Sequence, residues 1–232
     1  MGHWEAPPPD PIEVEAKFAV GPGTEAALAA LGAVGLPHCA PFRDCYFDGP
    51  AAPLGRADVW LRHRQGQGWQ IKLPHGDTSP HTPRPPSPAP PSAVTAYREV
   101  WGDAGVLAEL RRIFGVPPSA PWRGVGEALG PLGLRPTASF VTRRRSARLG
   151  GLRVELDEAD FGYGLGEVEE VVLGGPQEVA EARRRVEGVC RALGEFWGGS
   201  RGSRGWGEGR GGWGEGGVGG QGEGGGGGER GG

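Results

Sequence analysis

The segment I-E-V-E-A-K-F places Glu13, Glu15 and Lys17 two residues apart. In an extended strand all three leave one face, while Ile12, Val14 and Phe18 leave the other. The alternation recurs along the chain. W-L-R-H-R aligns Trp60, Arg62 and Arg64, and W-Q-I-K-L sets Lys72 opposite Trp69, Ile71 and Leu73. Glu99 shares a face with Tyr97 and Trp101, and Thr142 shares one with Arg144. Arg153, Glu155 and Asp157 oppose Leu152, Val154 and Leu156, while Glu167 and Glu169 flank Val168. Any one of these strands is explained by an antiparallel sheet with one face in water. Together they ask for more, because like charges two residues apart repel and serve solubility poorly. A polyphosphate with its divalent cation satisfies both signs: phosphate oxygens take several Arg and Lys donors. Mg²⁺ takes carboxylates, phosphate oxygens and water. The expected chemistry is therefore phosphoryl transfer, dominated by positioning and charge neutralisation.

These faces need strands to carry them. Strands are expected at Ile12 to Val20, Cys45 to Asp48, Asp58 to His63, Gly68 to Leu73, Thr95 to Trp101, Ser139 to Arg145, Leu152 to Leu156 and Gly166 to Val172. Eight suffice to close a barrel, which turns the charged faces inward and leaves the apolar faces for flanking helices. The fold class is then α+β, a closed eight-stranded antiparallel β-barrel with helices outside it. Helices are expected at Thr24 to Leu31 with Thr24 as N-cap, near Val106 to Phe114, and near Glu178 to Leu193. In the run Arg143 to Arg145, the choice of Arg144 as the inward residue depends on register, since a slip of one residue reverses the face.

Composition sets the boundaries. The chain has 232 residues, with 47 Gly and 23 Pro concentrated in segments that cannot build a core. We expect a disordered N-terminus at 1–10, a folded domain at 11–197 with a Pro-rich loop at 76–94, and a Gly-rich disordered tail at 198–232. The balance of 25 basic and 28 acidic residues, a net charge of -3, offers no general attraction to nucleic acid or anionic lipid. The GGERGG ending of the tail is a weak RNA-binding signal without repeats. Cys39, Cys45 and Cys190 form no paired framework, and neither a spanning apolar run nor a signal peptide is present. A soluble cytoplasmic monomer acting on a small molecule is expected, with no nucleic-acid or membrane partner.

The strand motifs also resemble a known family. I-E-V-E-A-K-F resembles the ExExK signature of the CYTH, or triphosphate tunnel metalloenzyme, superfamily. G-P-G-T-E, F-R-D-C-Y-F-D, A-D-V-W-L-R-H-R, G-W-Q-I-K, S-F-V-T-R-R and A-D-F-G-Y-G-L-G-E-V-E follow in the order of its branch that acts on thiamine triphosphate, across about residues 12 to 172. The resemblance implies Mg²⁺-dependent hydrolysis of thiamine triphosphate to the diphosphate and phosphate. By this resemblance Lys17, Arg62, Arg64, Lys72 and Arg144 grip the phosphates, with Glu99 in the substrate-binding set. Glu155, Glu167 and Glu169 hold the metal, with Glu13 and Glu15 beside them, and Glu155 stands where the family pattern has Asp. Trp60 faces the thiamine rings, where an aromatic face suits a thiazolium cation. Lys72, Glu13 and Glu15 are the catalytic candidates. The attacking water is oriented either by a metal-side carboxylate or by Lys72, whose pKa would fall among other cations.

Other readings use the same interior. A tunnel hydrolase of inorganic tripolyphosphate or nucleoside triphosphates differs only at the organic end, and a CYTH-type adenylate cyclase differs in directing a ribose hydroxyl to the α-phosphate. A non-catalytic polyphosphate- or RNA-binding module is a further class. The acidic set speaks against it, because carboxylates beside phosphate are a liability unless a metal bridges them.

Overall fold

The computed structural model describes residues 11–35, 38–76 and 94–198, with side chains described as far as Gly194. The expectations for residues 1–10, for most of the Pro-rich loop and for the tail beyond Gly198 lie outside the described residues. The elements in chain order are β1 (Pro11–Ala19), α1 (Thr24–Ala30), β2 (Val34–Gly35), β3 (Phe42–Asp48), α2 (Pro53–Arg56), β4 (Trp60–Arg64) and β5 (Gly68–Pro74). They continue with β6 (Thr95–Trp101), α3 (Asp103–Phe114), α4 (Val125–Leu129), β7 (Arg135–Leu149), β8 (Leu152–Ala159), β9 (Gly164–Leu173) and α5 (Pro176–Gly198).

Strand order is β7-β3-β4-β5-β6-β1-β9-β8, and β8 pairs back onto β7, so the eight strands close a ring. The two-residue β2 lies outside that ring, paired with β7 at Arg148 and Ala147. All pairings are antiparallel. The barrel is the one expected, built from the same eight strand regions. Closure removes both sheet edges from the eight strands, which is how such sheets avoid pairing with other chains.

The apolar faces point outward and pack under helices in two clusters. One joins Ile12, Val14, Ala16 and Phe18 of β1 and Val154 and Val168 of β8 and β9 to Leu28 of α1 and to Val179, Ala182, Val186 and Leu193 of α5. The other joins Leu61 of β4 and Ile71 and Leu73 of β5 to Leu54 of α2, Val106, Leu107 and Leu110 of α3, and Val125 and Ala128 of α4. The hydrophobic core thus lies around the barrel, and the lumen is left to polar side chains. The helical stripe read in α5 is this packing face.

Four local details differ from the sequence expectation. Gly23, at φ 93, is the N-cap of α1, and Thr24 is its first residue. The Thr24 hydroxyl turns back and accepts a hydrogen bond from Gly21 N at 2.9 Å. β3 starts at Phe42, which brings Asp44 into the sheet, and β7 runs fifteen residues. Its length lets it pair with β3 over its first half and with β8 over its second. Asp58 precedes β4 in a left-handed conformation, φ 57, instead of opening the strand.

β9 crosses β1 at Phe18–Gly166, where a methyl group on Gly166 would overlap the Phe18 ring. Phe18 is 8% exposed and cannot swing away freely. Gly166→Ala is expected to destabilise the domain by about 1–3 kcal/mol through overpacking, read as a lower urea midpoint at unchanged slope.

Candidate active site

Register places the charged residues on one inward face all round the ring. Glu13 lies opposite Tyr97, Glu15 opposite Glu169 and Lys17 opposite Glu167. Further round, Glu155 lies opposite Glu167, Arg144 opposite Asp157, and Lys72 opposite both Trp60 and Glu99. Burial follows: Glu13, Glu15, Asp44, Arg64, Gln70, Thr142, Glu155 and Glu169 are all buried. Buried charges persist only when paired or bound.

The pairing is dense. Lys72 Nζ lies 2.8 Å from Glu13, 2.7 Å from Glu15 and 3.1 Å from Glu99, with the Tyr97 ring centroid 5.6 Å away. Glu13 Oε2 accepts no aligned hydrogen bond in spite of that ion contact, so one buried carboxylate oxygen keeps acceptor capacity. Lys17 bridges Glu15 and Glu167, the latter at 2.6 Å. Arg144 holds Asp157 through Nε at 2.7 Å and Nη2 at 2.5 Å, and also contacts Glu155. Arg153 donates from Nε to Glu169 at 2.6 Å and lies 3.4 Å from Glu155.

On the opposite arc, Arg64 makes a two-pronged pair with Asp44, at 2.7 and 2.6 Å, and its guanidinium lies 4.1 Å from the Phe42 ring centroid. Arg62 donates to Gln70 through Nε and reaches Asp44 at 3.5 Å and the Tyr46 hydroxyl at 3.4 Å through Nη1. Trp60, at 40% exposed, is the most open of the sequence-selected side chains on β4.

Carboxylate oxygens of Glu155, Glu167 and Glu169 come within 4.8 Å of one another. Three anions so close repel strongly in a buried setting. The repulsion moves their proton affinities. Burial and the neighbouring Glu13 push Glu169 up to about 9. Burial likewise raises Glu155 against the pull of Arg144 and Arg153, and raises Glu15, with Glu167 adding to it. Glu167 goes the other way: despite burial, Lys17 and Lys72 hold it well below the usual carboxylate range. Glu13 is raised by burial, and Glu99 is lowered because, against its burial, Lys72, a hydrogen bond with Glu13 and Arg62 together prevail. An all-oxygen, anionic cluster suits a hard divalent cation, and Glu13 lies in the same interior.

Every residue expected at the site faces this interior: Lys17, Trp60, Arg62, Arg64, Lys72, Glu99 and Arg144 together with Glu13, Glu15, Glu155, Glu167 and Glu169. The arginine run resolves in favour of Arg144, since Arg145 pairs outside with Glu25. One expectation is reversed. Lys72 is surrounded by carboxylates and not by cations; although burial pulls its pKa down, Glu15, Glu13, Glu167 and Glu99 hold it well above the ordinary lysine range. Among these carboxylates it is held as an ammonium. Asp44, Gln70, Arg153 and Asp157 also line this interior, although the sequence pattern assigns none of them to the site. Asp44 was legible in principle, two residues before Tyr46, had β3 been extended to Phe42.

An antiparallel ring of eight strands with acids and bases of the lumen converging on a triple carboxylate defines the class, and the CYTH domain family matches residues 11–196. The chain belongs to the CYTH family. It is 39% identical over 194 residues to the thiamine-triphosphatase of Homo sapiens, covering 78% of this chain and 75% of that one. To the thiamine-triphosphatase of Macaca fascicularis it is 38% identical over the same length and shares. Among solved structures, the PH1819 protein of Pyrococcus horikoshii OT3 shares the fold, with a TM-score of 0.50 and 19% identity over 78% of this chain and 90% of that one.

Glu169 sets a pH dependence with a definite sign. Its folded pKa of about 9 exceeds the reference 4.5, so between these values the folded state holds a proton that the unfolded state releases. That contribution to stability is present at low pH and is lost as pH rises toward 9. In chelator, Glu169→Gln is expected to be more stable than the parent at pH 8 by at least about 1 kcal/mol, with the difference vanishing near pH 4.5. Denaturant titrations across that window check it.

Proposed function

We propose that this protein hydrolyses thiamine triphosphate to thiamine diphosphate and phosphate with Mg²⁺, inside the barrel. The observation that supports the chemistry is a buried triple carboxylate, Glu155, Glu167 and Glu169, beside a shared set of Lys and Arg side chains. The substrate rests on the likeness to the two thiamine-triphosphatases.

The two charge sets are poised to be exchanged. By themselves Lys17, Lys72, Arg144 and Arg153 are paired with a larger set of acids, Glu13, Glu15, Glu99, Glu155, Glu167, Glu169 and Asp157. A triphosphate takes the cations, since its oxygens present the same charge as the carboxylates they replace, and Arg62 and Arg64 extend the grip on the facing arc. The carboxylates so released are the ligands a divalent ion requires: Glu155, Glu167 and Glu169, with Glu13 and Glu15 adjoining. When bound, Mg²⁺ neutralises phosphate-oxygen charge and helps to orient the reacting groups.

Lys72, held as an ammonium, stabilises negative charge developing on the phosphoryl and leaving oxygens. Water is oriented by carboxylate, and Glu13 and Glu15 are the candidates, both buried in the interior beside the Lys72 ammonium. Trp60 receives the thiazolium-bearing end of the substrate through its exposed ring face. Among the described residues no helix is long and apolar enough to cross a membrane.

Phosphate release from thiamine triphosphate, tripolyphosphate and ATP, each with Mg²⁺ and with chelator, tests the assignment. Faster metal-dependent turnover of thiamine triphosphate is expected. Equal rates on all three substrates, or turnover indifferent to chelator, overturn it. Tripolyphosphate hydrolysis is the second reading, because every interior charge serves it equally well.

Lys72→Met is expected to lower the specific activity of folded protein by about 100-fold or more. The change also leaves Glu13, Glu15 and Glu99 without their common cation, so circular dichroism at saturating Mg²⁺ accompanies the assay to score only folded enzyme. Near-parental activity would remove Lys72 from the mechanism.

A further inference from the structure

The loop between β3 and β4 carries three non-glycine residues in the left-handed region, Ala51 at φ 62, Ala52 at φ 48 and Asp58 at φ 57. Strained backbone of this kind persists only where surrounding contacts hold it, and it collects at functional positions. Here the contacts are visible. The Asp48 carboxylate accepts hydrogen bonds from Leu54 N at 3.0 Å and Gly55 N at 2.9 Å, pinning the start of α2. Asp58 N donates to Gly55 O at 3.0 Å and Val59 N to Leu54 O at 2.9 Å. Leu54 and Val59 anchor the loop in the core, at 1% and 2% exposed.

So much bracing fixes one carboxylate. Asp58 Oδ1 accepts from the Trp60 indole Nε1 at 3.1 Å, and the same carboxylate accepts from the Tyr97 hydroxyl at 3.0 and 3.1 Å. Trp60 opens β4, and Tyr97 lies opposite Pro74, the last residue of β5, so the two rings belong to the same end of the barrel. The Lys72 ammonium stands between them in register, paired with Trp60 across β4 and β5 and 5.6 Å from the Tyr97 ring centroid. Tyr97 is 7% exposed and its ring is already engaged by Lys72, whereas Trp60 keeps 40% of its surface open.

We propose that Asp58, itself held by the buried Tyr97 hydroxyl, is a positioning residue that fixes Trp60 as an aromatic seat for a flat, cationic heteroaromatic group, and so favours triphosphates bearing such a group over inorganic polyphosphate. This deepens the hydrolytic reading above and rests on it. The chemistry has two parts. The hydrogen bond to Asp58 removes rotational freedom from the Trp60 ring before the substrate arrives, which lowers the entropic cost of stacking. Donation of the indole N–H to a carboxylate also enriches the ring in electron density, which strengthens its attraction for a cation. Inorganic tripolyphosphate has no group to seat and gains from neither.

The test compares Asp58→Gly and Asp58→Asn with the parent. Both replacements tolerate the left-handed backbone, and Asn keeps a neutral acceptor, so position and charge are separated. Steady-state kinetics are measured on thiamine triphosphate and tripolyphosphate with Mg²⁺. Calorimetry measures binding of thiamine diphosphate and of inorganic pyrophosphate. For Asp58→Gly, KM for thiamine triphosphate is expected to rise about tenfold, in keeping with loss of one cation–aromatic contact. Its kcat, and both constants for tripolyphosphate, are expected to stay within about twofold. Asp58→Asn is expected to fall between Gly and the parent. Thiamine diphosphate binding should weaken in parallel while pyrophosphate binding holds. Equal losses on both substrates and both ligands would mark a merely structural residue and overturn the proposal, as would an unchanged KM. If the parent enzyme turns over neither substrate, the hydrolytic reading fails, and the two binding titrations still decide whether Asp58 seats the organic group.

Discussion

Compensation of charge inside a closed ring is the constraint on which the rest depends. A buried carboxylate or ammonium is tolerated only if an opposite charge or a hydrogen-bond donor stands within reach. Around this barrel nearly every inward charge meets that condition across a strand boundary. Arg64 takes Asp44 from β3, Lys72 takes Glu13 and Glu15 from β1 and Glu99 from β6, and Arg153 takes Glu169 from β9. The pairs therefore form only when the ring is closed in this register. The residual imbalance, three carboxylates whose oxygens crowd within 4.8 Å, is where a cation is wanted.

A polar lumen displaces the hydrophobic core to the outside. The barrel cannot face water with Ile12, Val14, Ile71 and Leu73, so α5 with α1 covers one arc and α3 with α2 and α4 covers another. Stability and chemistry are thereby divided between the two faces of each strand. Substitutions on the outward face act on packing, as at Gly166 where β9 closely approaches the Phe18 ring of β1, and substitutions on the inward face act on electrostatics.

The same division bears on substrate choice. Phosphates are chemically alike whatever they are attached to, so the interior cations cannot tell an inorganic chain from an organic one. On the proposed reading discrimination comes from the end of the barrel, where Trp60 and Tyr97 share the Asp58 carboxylate. The strained loop that delivers Asp58 is anchored in the outer core by Leu54 and Val59, so the packing that encloses the barrel also fixes this carboxylate at its end.

The period-two alternation of the sequence already determined which faces are charged, how many strands carry them, and that acids and bases occur in matched sets, because side-chain direction in a strand follows from residue spacing alone. Glu13, Glu15, Lys17, Arg62, Lys72, Glu167 and Glu169 were all legible in this way. Partnership was not, since Lys72 and its three carboxylates lie on different strands, and only ring closure makes them neighbours. That is why the lysine expected to sit among cations, with a depressed pKa, proves to be held in its charged form by acids. Asp44 and Asp58 escaped for a related reason. One lies beyond the apolar pattern used to start a strand, and the other in a turn whose left-handed backbone no periodicity signals, so each gained its role only when folding placed a distant Arg, Trp or Tyr within hydrogen-bonding distance.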